Sequence, residues 1–187
     1  MRIISGDFKG KKILQPKDKL TRPLKDLTKE SIFNIIKHSK LFGINLENSN
    51  ILDLFSGVGS FGLECLSRGA ANVTFLENYK EVLNILKKNI ENFKQQNYSR
   101  VIEKDIFAKN TLRLLDNKFE IIFIDPPYKE KKLIHLLETI IELKLLKDGG
   151  IIIIHRHKKE DNKFPREFNL IVEKNYGISK IIFGSYG

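Results

Sequence analysis

Cysteine is all but absent from this chain: Cys65 is the only one in 187 residues, so no intramolecular disulfide can form. That usage matches a reducing compartment, and the cytoplasm is the expected location. A chain of this length hides roughly 70% of its unfolded surface, so neither a disulfide nor a structural metal is required for stability. Long apolar runs are missing as well. Ile121 to Ile124 and Ile151 to Ile154 are far below the roughly 20 residues of a membrane span. The amino-terminal MRIISGDFKGKK lacks the apolar core of a secretion signal, and there is no internal repeat or low-complexity tract. The isolated carboxylates and scattered histidines do not fall at metal-ligand spacings, so no metal is expected. Together these absences leave one compact, non-membrane domain.

Negative charge is the scarcer sign. The 33 Lys+Arg against 23 Asp+Glu give +10 and a pI near 9.6, which points to a polyanionic partner. The excess is uneven, since residues 1–45 hold 11 basic and 4 acidic side chains. Lys9, Lys11, Lys12 and Arg22 are the candidate nucleic-acid contacts. The competing reading is a solvated lysine-rich surface.

Along the chain, residues 1–20 read as a small hairpin, and Asp26 as the cap of a helix over 27–38 in which Ile32, Phe33, Ile35 and Ile36 fall at helical spacing. Residues 43–50 form a linker. From Asn50 onward apolar runs alternate with helical patterns: strand 51–55, helix 60–68 stopped by Gly69, and strand 73–77. Asn78 with Glu81 makes a capping-box-like start for a helix to about Lys94, before strand 100–104 and a short helix around 107–115. Residues 121–124 and 151–154 are continuous apolar runs, as in parallel strands covered on both faces, with a helix over 131–146 between them. A closing antiparallel hairpin is predicted from 168–172 and 178–183 across Asn175-Tyr176-Gly177. The alternation predicts an α/β doubly wound sheet, whose ligands bind beyond the carboxyl ends of the strands near the switch in strand order.

One such strand end carries Asp53-Leu54-Phe55-Ser56-Gly57-Val58-Gly59-Ser60-Phe61-Gly62, a glycine-rich turn with the spacing of a nucleotide-binding loop. Glu77 ends the next strand, where a carboxylate can accept hydrogen bonds from ribose hydroxyls. This geometry serves dinucleotides and S-adenosylmethionine alike. Asp53 favours the second, because a carboxylate there opposes a pyrophosphate and attracts a cationic ligand. Asp105 after the third strand is an acceptor for an adenine amino group or a helix cap, and Phe107 packs on adenine or in the core.

Phe123-Ile124-Asp125-Pro126-Pro127-Tyr128 is the most informative stretch. Pro126 pushes Asp125 into an extended conformation, and two prolines remove two N–H donors, leaving a surface of acceptors. The Asp125 carboxylate and the Pro126 carbonyl can both accept from one exocyclic NH2 group, while Tyr128 offers a face for base stacking. Such an amine is a poor nucleophile, because its lone pair is delocalised into the ring. Two aimed acceptors orient that lone pair toward an electrophilic methyl group.

Asp125-Pro126-Pro127-Tyr128 resembles the catalytic motif of methyltransferases acting on base amino groups. With Arg2-Ile3-Ile4-Ser5-Gly6, Lys9-Gly10-Lys11, Thr21-Arg22-Pro23, Glu30-Ser31-Ile32-Phe33-Asn34, Leu52-Asp53-Leu54-Phe55-Ser56-Gly57 and Leu66-Ser67-Arg68-Gly69-Ala70, nearly the whole chain is similar to the bacterial small-subunit ribosomal RNA guanine-N2 methyltransferases. The resemblance implies a Rossmann-like sheet of seven strands with the last antiparallel, S-adenosylmethionine as cofactor, and one guanine of 16S ribosomal RNA as target. By the same resemblance Asp53, Phe55, Gly57 and Gly59 fall on the methionine-binding loop, Glu77 on the ribose contact, Asp105 and Ile106 on the adenine region, and Asp125, Pro126 and Tyr128 on the acceptor motif. Leu24-Lys25 departs from the usual pattern, and so does His155, where the family often carries Glu. His155 and His157 are read as RNA contacts or as structural side chains.

A basic extension over 1–45 and a methyltransferase domain over 46–187 are expected, acting as a monomer on 16S ribosomal RNA or a small-subunit particle. Adenine-N6 methylation of DNA would also suit the acceptor motif, but no separate target-recognition domain is evident. An NAD oxidoreductase is opposed by Asp53, and a non-catalytic RNA-binding assembly protein by the intact motif.

Overall fold

The computed structural model describes residues 1–16, 24–39, 41–160 and 162–187. A seven-stranded sheet organises the chain in the order β3-β2-β1-β4-β5-β7-β6. Its strands are β1 (Asn50–Leu54), β2 (Asn72–Leu76), β3 (Ser99–Ile102), β4 (Phe119–Ile124), β5 (Leu146–His157), β6 (Asn169–Tyr176) and β7 (Ser179–Ser185). The first five pair in parallel, and β7 runs antiparallel to both β5 and β6. The continuous apolar runs at 121–124 and 151–154 are thus central parallel strands, and the expected antiparallel hairpin closes the sheet.

Alternate residues of each strand feed two cores. Ile51, Phe75, Phe123, Ile153 and Phe183 share one with Ile3, Ile13, Phe33 and Phe61, so the amino-terminal segment is packed into the sheet's own core. Phe61 stacks on Phe123 at 3.9 Å and Phe33 on Phe61 at 5.3 Å. Leu54, Leu76, Ile122, Ile124 and Ile154 face the other core, which Leu133, Leu137 and Ile140 complete. Helices α1 (Asp26–His38), α2 (Ser60–Ser67), α3 (Lys80–Asn92) and α4 (Leu133–Glu142) connect these layers.

Several boundaries differ from expectation. Asp26 is the first residue of α1, where it favours the positive end of the helix dipole, and the cap position is Lys25 without a side-chain bond. The start of α3 is set by Tyr79 rather than by an Asn78–Glu81 box, because Glu77 takes the Asn78 and Tyr79 N–H groups. Residues 107–115 contain only a 3₁₀ turn, Leu112–Leu114. Helix α4 ends at Glu142 rather than 146, since Lys144 turns left-handed (φ 51°) and Leu146 already begins β5.

The hairpin at the amino terminus is a tight loop closed by an Arg2–Lys12 bridge. It is docked on α2: Asp7 N–H donates to the Ser67 carbonyl at 2.8 Å, and Phe8 N–H to Ser67 Oγ at 2.9 Å. A Cβ at Gly6 would lie 1.7 Å from the Ser67 carbonyl oxygen, so only glycine permits this approach. Residues 17–20 of the expected hairpin, and Thr21 and Arg22 after it, lie outside the described residues.

Candidate active site

Strand register builds the site. Ile102, Leu76, Leu54, Ile124 and Ile154 form one row across β3, β2, β1, β4 and β5. The residues that follow, Phe55, Glu77 and Asp125, lie just past their strand ends on the same edge, level with His155 inside β5. The order reverses between β1 and β4, and there a cleft of about 740 Å³ opens, a size suited to a small-molecule ligand.

The turn after β1 is held in unusual backbone conformations. Phe55 is left-handed at φ 57°, a strain of the kind concentrated at functional sites, and Gly57 and Gly59 follow at 55° and 82°. A Cβ at Gly57 would meet nothing, so that backbone is open to a ligand. Gly59 differs from expectation: it does not line the cleft, its N–H is taken by the Ser56 carbonyl, and a Cβ there would strike Leu86 at 2.5 Å. Its place is to start α2. Gly62 lets α2 approach β2, where a Cβ would meet the Phe75 ring at 2.3 Å.

Asp53, Phe55, Gly57, Glu77, Asp105, Ile106, Asp125, Pro126 and Tyr128 all line the cleft. Asp53 is 1% exposed and accepts the Gly62 N–H at 3.0 Å. Burial pushes its carboxyl well above the usual carboxylate range, the Gly62 N–H opposes this, and the neighbouring Asp125 and Glu77 charges add to it. Glu77 closes the glycine turn, with Oε2 accepting from Gly57 N–H at 2.8 Å and Oε1 from Asn78 and Tyr79. Asp105 caps its own turn by accepting the Phe107 N–H at 2.9 Å, so it is both a turn former and a cleft residue. Phe55 and Phe107 lie 6.0 Å apart, and the Lys132 ammonium sits 5.1 Å over Phe107.

Asp125 N–H donates to the Leu54 carbonyl at 3.3 Å, tying the acceptor loop to β1. The end of β5 supports the rest. Arg156, 3% exposed, donates to the Pro127 carbonyl at 3.2 Å and to the Glu130 carbonyl at 3.0 Å, while His157 packs edge-on against Tyr128 at 4.9 Å. His155 Nδ1 lies 2.8 Å from Asp125 Oδ1. Sequence reading gave Arg156 no role. The signal available was an arginine just past a run of four isoleucines.

The amino-terminal segment supplies the remaining wall through Met1, Gln15, Pro16 and Leu24, none of which was anticipated. Lys9, Lys11 and Lys12 are exposed and stand away from the cleft, with the Lys11 ammonium 5.0 Å over the Phe8 ring. Arg22 is outside the described residues. Among the described residues no cluster of His, Cys, Asp or Glu could hold a metal ion, and no helix is long and apolar enough to cross a membrane.

The model of the family described as conserved hypothetical protein 95 matches residues 1–185. The ribosomal RNA small subunit methyltransferase D of Haemophilus influenzae is 33% identical over 95% of this chain and 90% of its own. The protein of the same name from Buchnera aphidicola of Acyrthosiphon pisum is 36% identical over 92% and 86%. The chain belongs to this family of methyltransferases. A solved Escherichia coli structure, named provisionally as a methyltransferase, is 25% identical and superposes with a TM-score of 0.81 over 100% of this chain and 97% of that one. The sheet is therefore the Rossmann-like methyltransferase sheet of this family, with its cleft at the usual switch point.

Proposed function

We propose that this protein transfers a methyl group from S-adenosylmethionine to the exocyclic N2 amine of a guanine in 16S ribosomal RNA, working in the cytoplasm as a monomer. At the coarser level it is an S-adenosylmethionine-dependent ribosomal RNA methyltransferase. The observation that carries the finer reading is that Asp125 and Pro126 line the same cleft as the glycine turn and Glu77. Acceptors for an amine and a loop for a nucleoside thus meet in one space.

The cleft's chemistry fits a cationic, nucleoside-bearing cofactor. In a chain of net charge +10, Asp53, Glu77 and Asp125 converge there, and the buried Ser60 Oγ on its wall has no hydrogen-bond partner among the described residues. Asp53, Phe55 and Gly57 would hold the methionine part, Glu77 the ribose, and Asp105 with Ile106 the adenine, while Gly59 shapes the turn. When bound, the cofactor supplies an electrophilic sulfonium methyl group. Asp125 and the Pro126 carbonyl accept the two amine hydrogens, which turns the nitrogen lone pair toward that methyl. Tyr128 stacks on the base. On taking the methyl group the amine nitrogen would become strongly acidic and give up its proton late, to Asp125 or to water, so orientation by Asp125 outweighs its basicity.

Residues 1–45 act as the RNA-binding extension, with Lys9, Lys11, Lys12 and Arg22 on the phosphate backbone and Met1, Gln15, Pro16 and Leu24 bordering the target base. The test is to map methyl transfer from labelled cofactor, using 16S ribosomal RNA and small-subunit particles from cells lacking the gene, with duplex DNA in parallel. Label at guanine N2 supports the reading. Label in DNA adenine, or in no nucleic acid, overturns it.

A further inference from the structure

His155 is 3% exposed, directly after the four isoleucines of β5, and both its ring nitrogens are engaged. Nδ1 lies 2.8 Å from Asp125 Oδ1 and Nε2 lies 2.9 Å from Ser179 Oγ. A carboxylate only accepts, so Nδ1 carries the proton and donates to Asp125; in that tautomer Nε2 can accept from the Ser179 hydroxyl. The contact is built by register, because Ile124 pairs with Ile154 and the next residues of two parallel strands face the same way. Ser179 is brought to the opposite side of the ring by β7, whose Ile181 pairs with His155.

We infer that His155 is a positioning residue for the methyl transfer: it fixes the Asp125 carboxylate by Oδ1, so that Oδ2 is presented to the target amine. This rests on the reading of Asp125 as the amine acceptor. Asp125 is half-buried on the cleft wall, and the bond from His155 is made to Oδ1. A carboxylate held at one oxygen keeps one orientation of the other. Released, it turns about its terminal torsion, which is broad and soft, and the direction of the amine hydrogen bond is lost with it. Misplacement on the scale of 1 Å costs a reaction about 10²-fold. Ser179 completes the device by holding the ring in the tautomer that donates to Asp125, as an orienting group does for an imidazole at other active sites.

The experiment is single-turnover methylation of the same RNA by wild type, His155→Leu, His155→Asn and Asp125→Ala, and by His155→Leu combined with Asp125→Ala. Cofactor Kd and unfolding midpoint are measured alongside. His155→Leu is expected to slow the methyl step about 10²-fold at unchanged cofactor Kd. His155→Asn places an N–H near the Nδ1 position and should recover most of that loss. Added to Asp125→Ala, the leucine should cost nothing further, because its effect passes through a carboxylate no longer there. A wild-type rate in His155→Leu, or an equal penalty with and without Asp125, overturns the inference and leaves Asp125 in place. A wild-type rate in Asp125→Ala overturns the site reading and the inference together. Should the leucine variant not fold, Ser179→Ala serves: a loss of about tenfold at unchanged cofactor Kd supports the device, and a wild-type rate overturns it.

Discussion

Lys29 Nζ and Glu64 Oε2 meet at 3.3 Å with both side chains wholly buried. Glu64 also accepts the Ile4 N–H at 2.8 Å, the Ser5 N–H at 3.0 Å and the Arg68 Nε–H at 2.9 Å, while Lys29 donates to the Arg2 carbonyl at 2.8 Å. The pair is therefore the rivet between α1, α2 and the amino-terminal hairpin. Glu64→Ala strands a buried ammonium and two backbone donors, and is expected to cost about 3–5 kcal/mol in urea denaturation. Lys29→Met should cost less, because Arg68 and two N–H groups still satisfy the carboxylate. Equal losses would place the weight elsewhere.

Asp53 sets a pH dependence. Its folded carboxyl binds its proton more tightly than the unfolded one, whose ordinary value is 3.8, so above that value the folded state holds the extra proton. Stability from this group is present below pH 3.8 and falls as pH rises through the higher folded value. Asp53→Asn removes the titration and keeps an oxygen for the Gly62 N–H. The variant should gain stability over wild type as pH is raised above the ordinary carboxylate value and through the higher folded one, while binding S-adenosylmethionine more weakly. A constant difference across that range in denaturation experiments would contradict the assignment.

Glu77 carries two duties, since it ties the glycine turn to the start of α3 by three backbone hydrogen bonds and faces the cleft. Glu77→Ala should weaken S-adenosylmethionine by about 10- to 150-fold, from the roughly 1.5–3 kcal/mol of hydrogen bonds to a charged group. Calorimetry showing unchanged affinity would remove Glu77 from the site.

Removing Lys9, Lys11 and Lys12 together should flatten the slope of log RNA affinity against log salt by up to about 0.7–0.9 for each phosphate that they neutralise. Their exposure makes the substitution harmless to the fold. An unchanged slope in salt titrations would return them to the solvated surface.

Strand and helix order was legible because long apolar runs and helical spacing are local properties. The glycine turn and the Asp125 to Tyr128 stretch were legible because their chemistry sits in consecutive residues. Side chains whose meaning depends on distant partners were not. Glu64 and Lys29 look like solvated helix positions until α1 packs on α2, and Asn89 looks like one until it accepts the Leu14 N–H at 2.8 Å and donates to the Val58 carbonyl at 3.0 Å. His155 and Arg156 acquire their contacts from the register of β5 against β4 and β7, which no spacing within one segment reveals. The expected helix at 107–115 failed for a related reason: its apolar residues, Leu112 among them, are buried from a turn rather than from a helix face.

Ser179 is the first residue of β7, far along the chain from the residues given to the cofactor. The glycine turn, Glu77 and Asp105 precede it by more than seventy residues. On the proposed reading, the cofactor contacts and the support of the amine acceptor are therefore separated along the chain: the first come from the β1 to β3 half of the sheet and the second from the closing hairpin. Substitutions that loosen the hairpin are expected to reach Asp125 through Ser179 and His155 without touching the glycine turn.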